Sequence, residues 1–125
     1  MNLNQVTLPA VDIAGSVAFY RRMGFKHIVD SPEYARFECP AGEASFSLHR
    51  VERLVADTQV VVYFETADLD AEVKRLQAAG IEFTQLPRDE RWLWREARLR
   101  DPSHNTLCLF WAGTNRRNPP WRLKD

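Results

Sequence analysis

Two short stretches of the chain have the pattern of β-strands, and each is followed by a stretch in which apolar residues recur at a longer spacing. Gln5–Leu8 and Val61–Glu65 are typical of half-buried strands, in which successive side chains face opposite sides of a sheet. In the stretches that follow, apolar residues recur at positions 13, 17 and 20 and at positions 69, 73 and 76. This spacing aligns them on one face of a helix. The pattern therefore predicts a strand and an amphipathic helix in each half.

The two halves match at an offset of 56 residues. Residues 11–25 (VDIAGSVAFYRRMGF) align with residues 67–81 (ADLDAEVKRLQAAGI), so that Asp12 falls on Asp68 and Gly24 on Gly80. Each aspartate stands where it can cap the first turn of its helix. Each glycine stands where a left-handed residue commonly ends a helix. The match indicates an internal duplication.

Three β-rich stretches follow each predicted helix: Phe25–Val29, Tyr34–Glu38 and Ala44–His49, then Glu82–Leu86, Trp92–Leu99 and Thr106–Trp111. Each half thus reads as a βαβββ module, with its helix on one face of its sheet. We predict an α+β fold in which two modules form a curved mixed sheet around a shared cleft, with the helices outside. The 125 residues suit a single domain, with modules at about 1–52 and 57–112 and a C-terminal tail at 113–125.

The composition of the chain argues against two classes of binding partner. Seventeen basic and seventeen acidic residues give a formal net charge of zero, which argues against nucleic acid as a partner. No apolar run approaches the ~20 residues that span a bilayer, so no membrane partner is expected. Cys39 and Cys108 are far apart and form no metal-binding or disulfide pattern, which favours a reducing, cytoplasmic location.

Four stretches carry a resemblance to a known family: residues 3–25 (LNQVTLPAVDIAGSVAFYRRMGF), 46–50 (FSLHR), 61–83 (VVYFETADLDAEVKRLQAAGIEF) and 100–110 (RDPSHNTLCLF). Together they resemble the vicinal oxygen chelate superfamily, which includes glyoxalase I, bleomycin-resistance proteins and extradiol dioxygenases. The resemblance implies the paired βαβββ fold. It does not single out one activity, since the superfamily contains both metalloenzymes and binding proteins.

In catalytic members of that superfamily, one metal is held by His, Gln or Glu side chains on the inner strands. By resemblance, the four ligand positions fall on Gln5, Ser47, Val61 and Cys108. Only Gln5 is of a usual ligand type, so neither a metal nor any other cofactor is predicted. A shifted set of Gln5, His49, Gln59 and Cys108 stays open as an alternative, and Cys108 is interpreted as the filler of an abandoned ligand position.

Strand alternation places residues of both modules on the side of the sheets that faces the predicted cleft, and ten of them are chosen as candidates. They are the candidate ligand-binding residues: Gln5, Thr7, Ser47, His49, Tyr63, Trp94, Glu96, Arg98, Cys108 and Phe110. Aromatic walls with a few polar groups are typical of a small-molecule pocket. Arg98 can bind an anionic ligand through its planar guanidinium, or it can pair with Glu96 or Glu65. His49 is the one candidate general base.

Three functions stay open. The first is a protein of the bleomycin-resistance kind, which binds a small organic, planar or anionic molecule without a catalytic metal. The second is a metal-dependent lyase, isomerase or dioxygenase with an atypical ligand set. The third is an interaction module with a closed cleft. The resemblance also implies a homodimer.

Overall fold

The computed structural model of the protein describes residues 1–54 and 58–124. The described chain forms two compact units. The first comprises residues 1–60 and 101–105, and the second comprises residues 61–100 and 106–125. No helix in the described residues is long and apolar enough to cross a membrane.

The first unit is a four-stranded mixed sheet with one helix. Its elements are β1 (Gln5–Ala10), α1 (Ile13–Met23), β2 (Lys26–Asp30), β3 (Tyr34–Glu38) and β4 (Ser45–Arg50). The strand order is β1-β4-β3-β2. β1 runs parallel to β4, whereas β3 runs antiparallel to both β4 and β2.

The second unit repeats this plan. Its elements are β5 (Val61–Glu65), α2 (Leu69–Ala78), β6 (Gln85–Asp89), β7 (Arg95–Arg100) and β8 (Thr106–Trp111), followed by a 3-10 helix (Gly113–Arg116). The strand order is β5-β8-β7-β6, with β5 parallel to β8 and the other pairs antiparallel. The predicted α+β fold of two βαβββ modules is thus confirmed. The boundary predicted at residue 57 lies outside the described residues, and the cleft stays a prediction.

Both helices begin as the sequence predicts. The carboxylate of Asp12 accepts a hydrogen bond from the Gly15 amide (3.1 Å), and that of Asp68 accepts one from the Ala71 amide (3.2 Å). Gly24 adopts a φ of 104°, in the left-handed region that lets the chain leave α1 and enter β2.

Each helix packs its apolar face on its own sheet. In α2 the three predicted positions, Leu69, Val73 and Leu76, are buried. In α1 Val17 is only half-buried, and the buried residues are Ile13, Ser16, Phe19, Tyr20 and Met23. The α1 face is rotated because the Tyr20 ring inserts among Phe25, Phe37 and Phe46, with centroid distances of 4.7–6.0 Å.

The turn between β7 and β8 belongs to the first unit. The buried carboxylate of Asp101 accepts hydrogen bonds from the Tyr20 hydroxyl (2.7 Å) and the Asn105 side-chain amide (2.8 Å). The same amide donates to the carbonyl of Pro9, and the Ser103 hydroxyl accepts from the Val11 amide. Burial and the neighbouring carboxylate raise the pKa of Tyr20, so that its phenol remains a donor.

Two strands of the second unit differ from the predicted bounds. β6 begins at Gln85 rather than Glu82, and β7 begins at Arg95 rather than Trp92. Residues 90–94 form a turn instead, in which the Leu93 amide donates to the Glu90 carbonyl (3.0 Å) and the Glu90 amide donates to the Trp94 carbonyl (2.8 Å). Tryptophan has a high strand propensity, so Trp92 and Trp94 favoured a strand where the chain forms a turn.

Candidate functional site

Each sheet has one face covered by its helix and one open face, and the candidate residues lie on the open faces. In the first unit, Gln5 and Thr7 alternate with the helix-facing Val6 and Leu8 along β1. The register pairs Gln5 with Ser45 and Thr7 with Ser47. The Ser45 hydroxyl donates to Gln5 Oε1 (2.8 Å), and the hydroxyls of Thr7 and Ser47 are 2.7 Å apart. This open face is therefore lined by polar side chains bonded to one another.

His49, the candidate general base, lies near the exposed end of β4. It pairs in register with Pro9 of β1 and with Tyr34 of β3. Its ring makes no hydrogen bond to another side chain in residues 1–54 and 58–124. An exposed imidazole without an orienting partner lacks the positioning that a general base needs.

Two residues of this face were missed by the sequence analysis, Tyr34 and Arg36 on β3. The Arg36 Nε donates to the Tyr34 phenol oxygen at 2.8 Å, and the guanidinium carbon is 5.3 Å from the Tyr34 ring centroid. The pKa of Tyr34 is lowered, chiefly by a hydrogen bond with Ser47 and further by Arg36. The alternation of Tyr34 and Arg36 with the apolar Ala35 and Phe37 is the signal that could have found them.

The open face of the second unit is aromatic. Trp94 and Phe110 stack at a centroid distance of 4.6 Å and an interplanar angle of 16°. The Tyr63 ring packs edge-on against both, at 5.8 Å from Trp94 and 5.6 Å from Phe110. Phe110 is buried, whereas Tyr63 is 44% exposed. We call these three residues the aromatic cluster.

A buried carboxylate lies beside the aromatic cluster. Glu96 is 1% exposed and pairs in register with Phe110. Its Oε1 accepts from the Arg98 guanidinium (3.1 Å), and its Oε2 accepts from the Trp92 indole nitrogen (2.7 Å). Both carboxylate oxygens are thus engaged, as a buried charge requires. Arg98 is the partner of Glu96, which is one of the two alternatives from the sequence.

Cys108 lies between these groups on β8, where it pairs with Tyr63 and Arg98. It is fully buried and packs with Phe110 and Ala112. Burial, together with the Glu96 carboxylate, raises the pKa of the Cys108 thiol to about 12. The side chain is therefore a neutral thiol at physiological pH, and in this form it is not a nucleophile.

The residues at the four positions implied by the resemblance do not fit a metal. Gln5 and Ser47 are bonded to neighbouring hydroxyls, Val61 has no donor atom, and Cys108 is buried among Phe110 and Ala112. Within residues 1–54 and 58–124, no group of three His, Cys, Asp or Glu side chains is placed to hold a metal ion.

The sequence matches the model of the Glyoxalase/Bleomycin resistance protein/Dioxygenase superfamily over residues 2–109. No protein with a curated description matches it. Among solved structures, a glyoxalase/bleomycin resistance protein/dioxygenase from Nocardioides is 24% identical, with a TM-score of 0.77 over 99% of this chain and 90% of that one.

Two further structures have the same fold. A bleomycin-binding protein complexed with bleomycin is 19% identical, with a TM-score of 0.74 over 89% of this chain and 98% of that one. A lactoylglutathione lyase from Agrobacterium tumefaciens is 20% identical, with a TM-score of 0.72 over 88% of this chain and 92% of that one. At these identities the likeness establishes the fold and not the activity.

Proposed function

Because the chain belongs to the Glyoxalase/Bleomycin resistance protein/Dioxygenase superfamily, we propose that it is a binding protein of that family. Its ligand is a small, planar organic molecule that binds on the open face of the second unit without a catalytic metal. The observation that carries this proposal is the aromatic cluster of Tyr63, Trp94 and Phe110.

The geometry of the cluster suits a flat ligand. Aromatic rings prefer offset stacking or edge-to-face contact, and the cluster already uses both between its own members. The Phe110 ring stacks on one side of the Trp94 indole. The half-buried Trp94 and the exposed part of Tyr63 then offer apolar surface to a ring that stacks on them.

Glu96 and Arg98 supply the polar side of this site. The carboxylate fixes the Arg98 guanidinium through one hydrogen bond, which leaves other N–H groups of a side chain that is 30% exposed. A guanidinium held in this way can donate to a ligand oxygen with little loss of side-chain entropy. The same carboxylate holds the indole of Trp92 at the rim.

Binding can be tested with metal-free bleomycin as the probe, because one protein of the same fold is described as bleomycin-binding. Isothermal titration calorimetry should give saturable binding with one site per chain. Trp94→Ala removes the stacking surface and should weaken binding by at least about tenfold, as expected for the loss of a buried aromatic contact.

The tail residue Trp121 provides a matched control, since it is 57% exposed and lies outside the cluster. Trp121→Ala should bind bleomycin as the wild type does. The proposal fails if neither bleomycin nor any of a panel of planar aromatic compounds binds, or if both tryptophan variants lose binding equally.

A metal-dependent activity makes a different prediction. Elemental analysis of untagged protein, purified without chelator, would then find about one metal per chain, lost in Gln5→Ala and in His49→Ala. We expect a small fraction of an equivalent and no change in either variant.

We also propose that the protein is a homodimer, as the resemblance implies. The mass of a single chain is 14.5 kDa. Sedimentation equilibrium should give twice this mass, and a value near that of a single chain would contradict the proposal.

A further inference from the structure

Arg36 is a charged residue on a sheet face that is otherwise lined by uncharged polar side chains, and among the described residues it has no carboxylate partner. It is half-buried on β3 and pairs in register with Ser47. Within residues 1–54 and 58–124, no carboxylate oxygen lies within 4 Å of its guanidinium. Among the described residues its side-chain hydrogen-bond partner is the Tyr34 phenol, which is not a carboxylate and does not form an ion pair with the guanidinium.

The second unit has the corresponding arginine with its charge balanced. Arg98 pairs in register with Cys108 as Arg36 pairs with Ser47. Two residues earlier in each strand stands the partner, Glu96 for Arg98 and Tyr34 for Arg36. At the same strand position, Arg98 thus forms an ion pair with Glu96, whereas Arg36 has no carboxylate partner among the described residues.

The neighbours of Arg36 add hydrogen-bond donors. The Tyr34 phenol oxygen accepts from Arg36 Nε, and its hydrogen bond with the fully buried Ser47 also lowers the pKa of Tyr34. With its oxygen held by these groups, the phenol can turn its own O–H towards a further acceptor. The nearest acid along the strand, Glu38, is exposed and makes no ion pair with Arg36 within 4 Å.

We propose that Arg36 and Tyr34 form a binding site for the oxyanion of a small organic acid on the open face of the first unit. The terminal nitrogens of Arg36 match the two oxygens of a carboxylate or phosphate, and Tyr34 donates to one of them. This proposal does not depend on the proposed function, because its residues all belong to the first unit.

The test is an NMR titration of ¹⁵N-labelled protein that follows the Nε–H signal of Arg36, identified by its absence in Arg36→Gln. Benzoate and phenyl phosphate are the probes, and benzamide is the neutral analogue of benzoate. Wild-type protein should show a saturable shift with at least one of the two anions and none with benzamide. The arm that saturates at lower concentration distinguishes carboxylate from phosphate.

Variants then locate the site through backbone amide shifts. Arg36→Gln should weaken anion binding by at least about tenfold, the loss of one charge-assisted contact. Tyr34→Glu should weaken it as much, because it supplies Arg36 with the partner that Glu96 gives Arg98. Tyr34→Phe should cause a smaller loss, since the charge remains available.

Arg50 is the matched control, an arginine of the same sheet that already pairs with Glu33 at 3.9 Å. Arg50→Gln should bind the anions as the wild type does. The proposal is overturned if neither anion shifts the Arg36 signal, if benzamide shifts it equally, or if a folded Arg36→Gln binds as tightly as the wild type. Failure of bleomycin binding would leave each of these outcomes unchanged, so the two proposals are separable.

Discussion

Arg36 and Arg98 occupy the same place in the two sheets, yet they stand in different surroundings. Around Arg36 the open face consists of hydroxyl and amide groups, whereas around Arg98 it consists of aromatic rings, a thiol and a buried carboxylate. The backbone plan is common to both units, because it depends on apolar residues facing the helix. The open face is free of that requirement, so one plan can carry two kinds of ligand chemistry.

The largest contrast is expected at Ser47 and Cys108, which take equivalent positions in β4 and β8. Cys108 is fully buried and keeps its proton, whereas Cys39 is only half-buried. At pH 8 the native protein should release one equivalent of thionitrobenzoate from Ellman's reagent, from Cys39. Cys108 should react at least about a hundredfold more slowly, because reaction requires both local opening and a thiolate.

Cys39→Ser is the control, since it should leave a single slow thiol that becomes fast in denaturant. Equal rates for both thiols in the native protein would contradict the burial of Cys108. The pH dependence has a defined sign. The unfolded thiol ionises near its ordinary pKa of 9, and the folded one near 12. Stability from this group is therefore full below about pH 9 and decreases towards pH 12, a loss absent in Cys108→Ser.

A second contrast concerns Phe110 and His49, which also take equivalent positions. Phe110 is 4% exposed within the aromatic cluster, whereas His49 is exposed. Phe110→Ala should lower the free energy of unfolding by about 3–4 kcal/mol through lost burial and a cavity. His49→Ala should change it by less than about 0.5 kcal/mol. Urea denaturation measures both, and similar losses would mean that the two faces are packed alike.

The partners of the two arginines provide a smaller contrast. Glu96→Gln removes the buried carboxylate that accepts hydrogen bonds from Arg98 and Trp92. It should lower the free energy of unfolding by about 1–3 kcal/mol. Tyr34→Phe removes the hydrogen bonds of the phenol with Arg36 and Ser47 at a half-exposed site, and it should lower the free energy of unfolding by about 0.5–1 kcal/mol. Thermal and urea denaturation of the two variants compare them directly. The reverse order would show that Arg36 is the more tightly integrated cation.

The fold could be predicted because the signals that specify its helices and strands lie close together in the sequence. The capping residues Asp12 and Asp68 and the apolar spacing of each helix are legible without tertiary contacts. Placing Glu96 and Arg98 on one face required only counting along β7, and the same count carried two residues further back to Trp94. These inferences rest on the fixed periods of helices and strands, and the duplication presents each pattern twice.

What the sequence could not give is the partner of each side chain. The hydrogen bond of Tyr34 with Ser47 depends on the register of β3 against β4, which the turn at 39–44 sets. Gly42, with a φ of 74°, lies in that turn. Likewise, the bond from Trp92 to Glu96 exists because residues 90–94 form a turn, where strand propensity predicted a strand. Register and turn geometry are tertiary outcomes, so partners across a strand pair and partners within a turn were both missed.

The smallest effect is expected at the turn that begins β7, and it also separates the two units. Leu93 has a φ of 68°, a left-handed conformation that costs a residue with a side chain roughly 1 kcal/mol. In the first unit, none of the described residues 31–33 between β2 and β3 has a positive φ. Because Leu93 is 46% exposed, replacing it sacrifices little burial.

Leu93→Gly should therefore raise the free energy of unfolding by roughly 0.5–1 kcal/mol, whereas Leu93→Ala, which keeps the strain, should not. Urea denaturation can resolve this difference when both variants are measured together. Bleomycin titration of Leu93→Gly adds a functional reading, since this turn holds Trp92 and Trp94 beside Glu96. A stabilised variant with weaker binding would mean that the strain positions the aromatic rim, and unchanged binding would mean that Glu96 alone is sufficient.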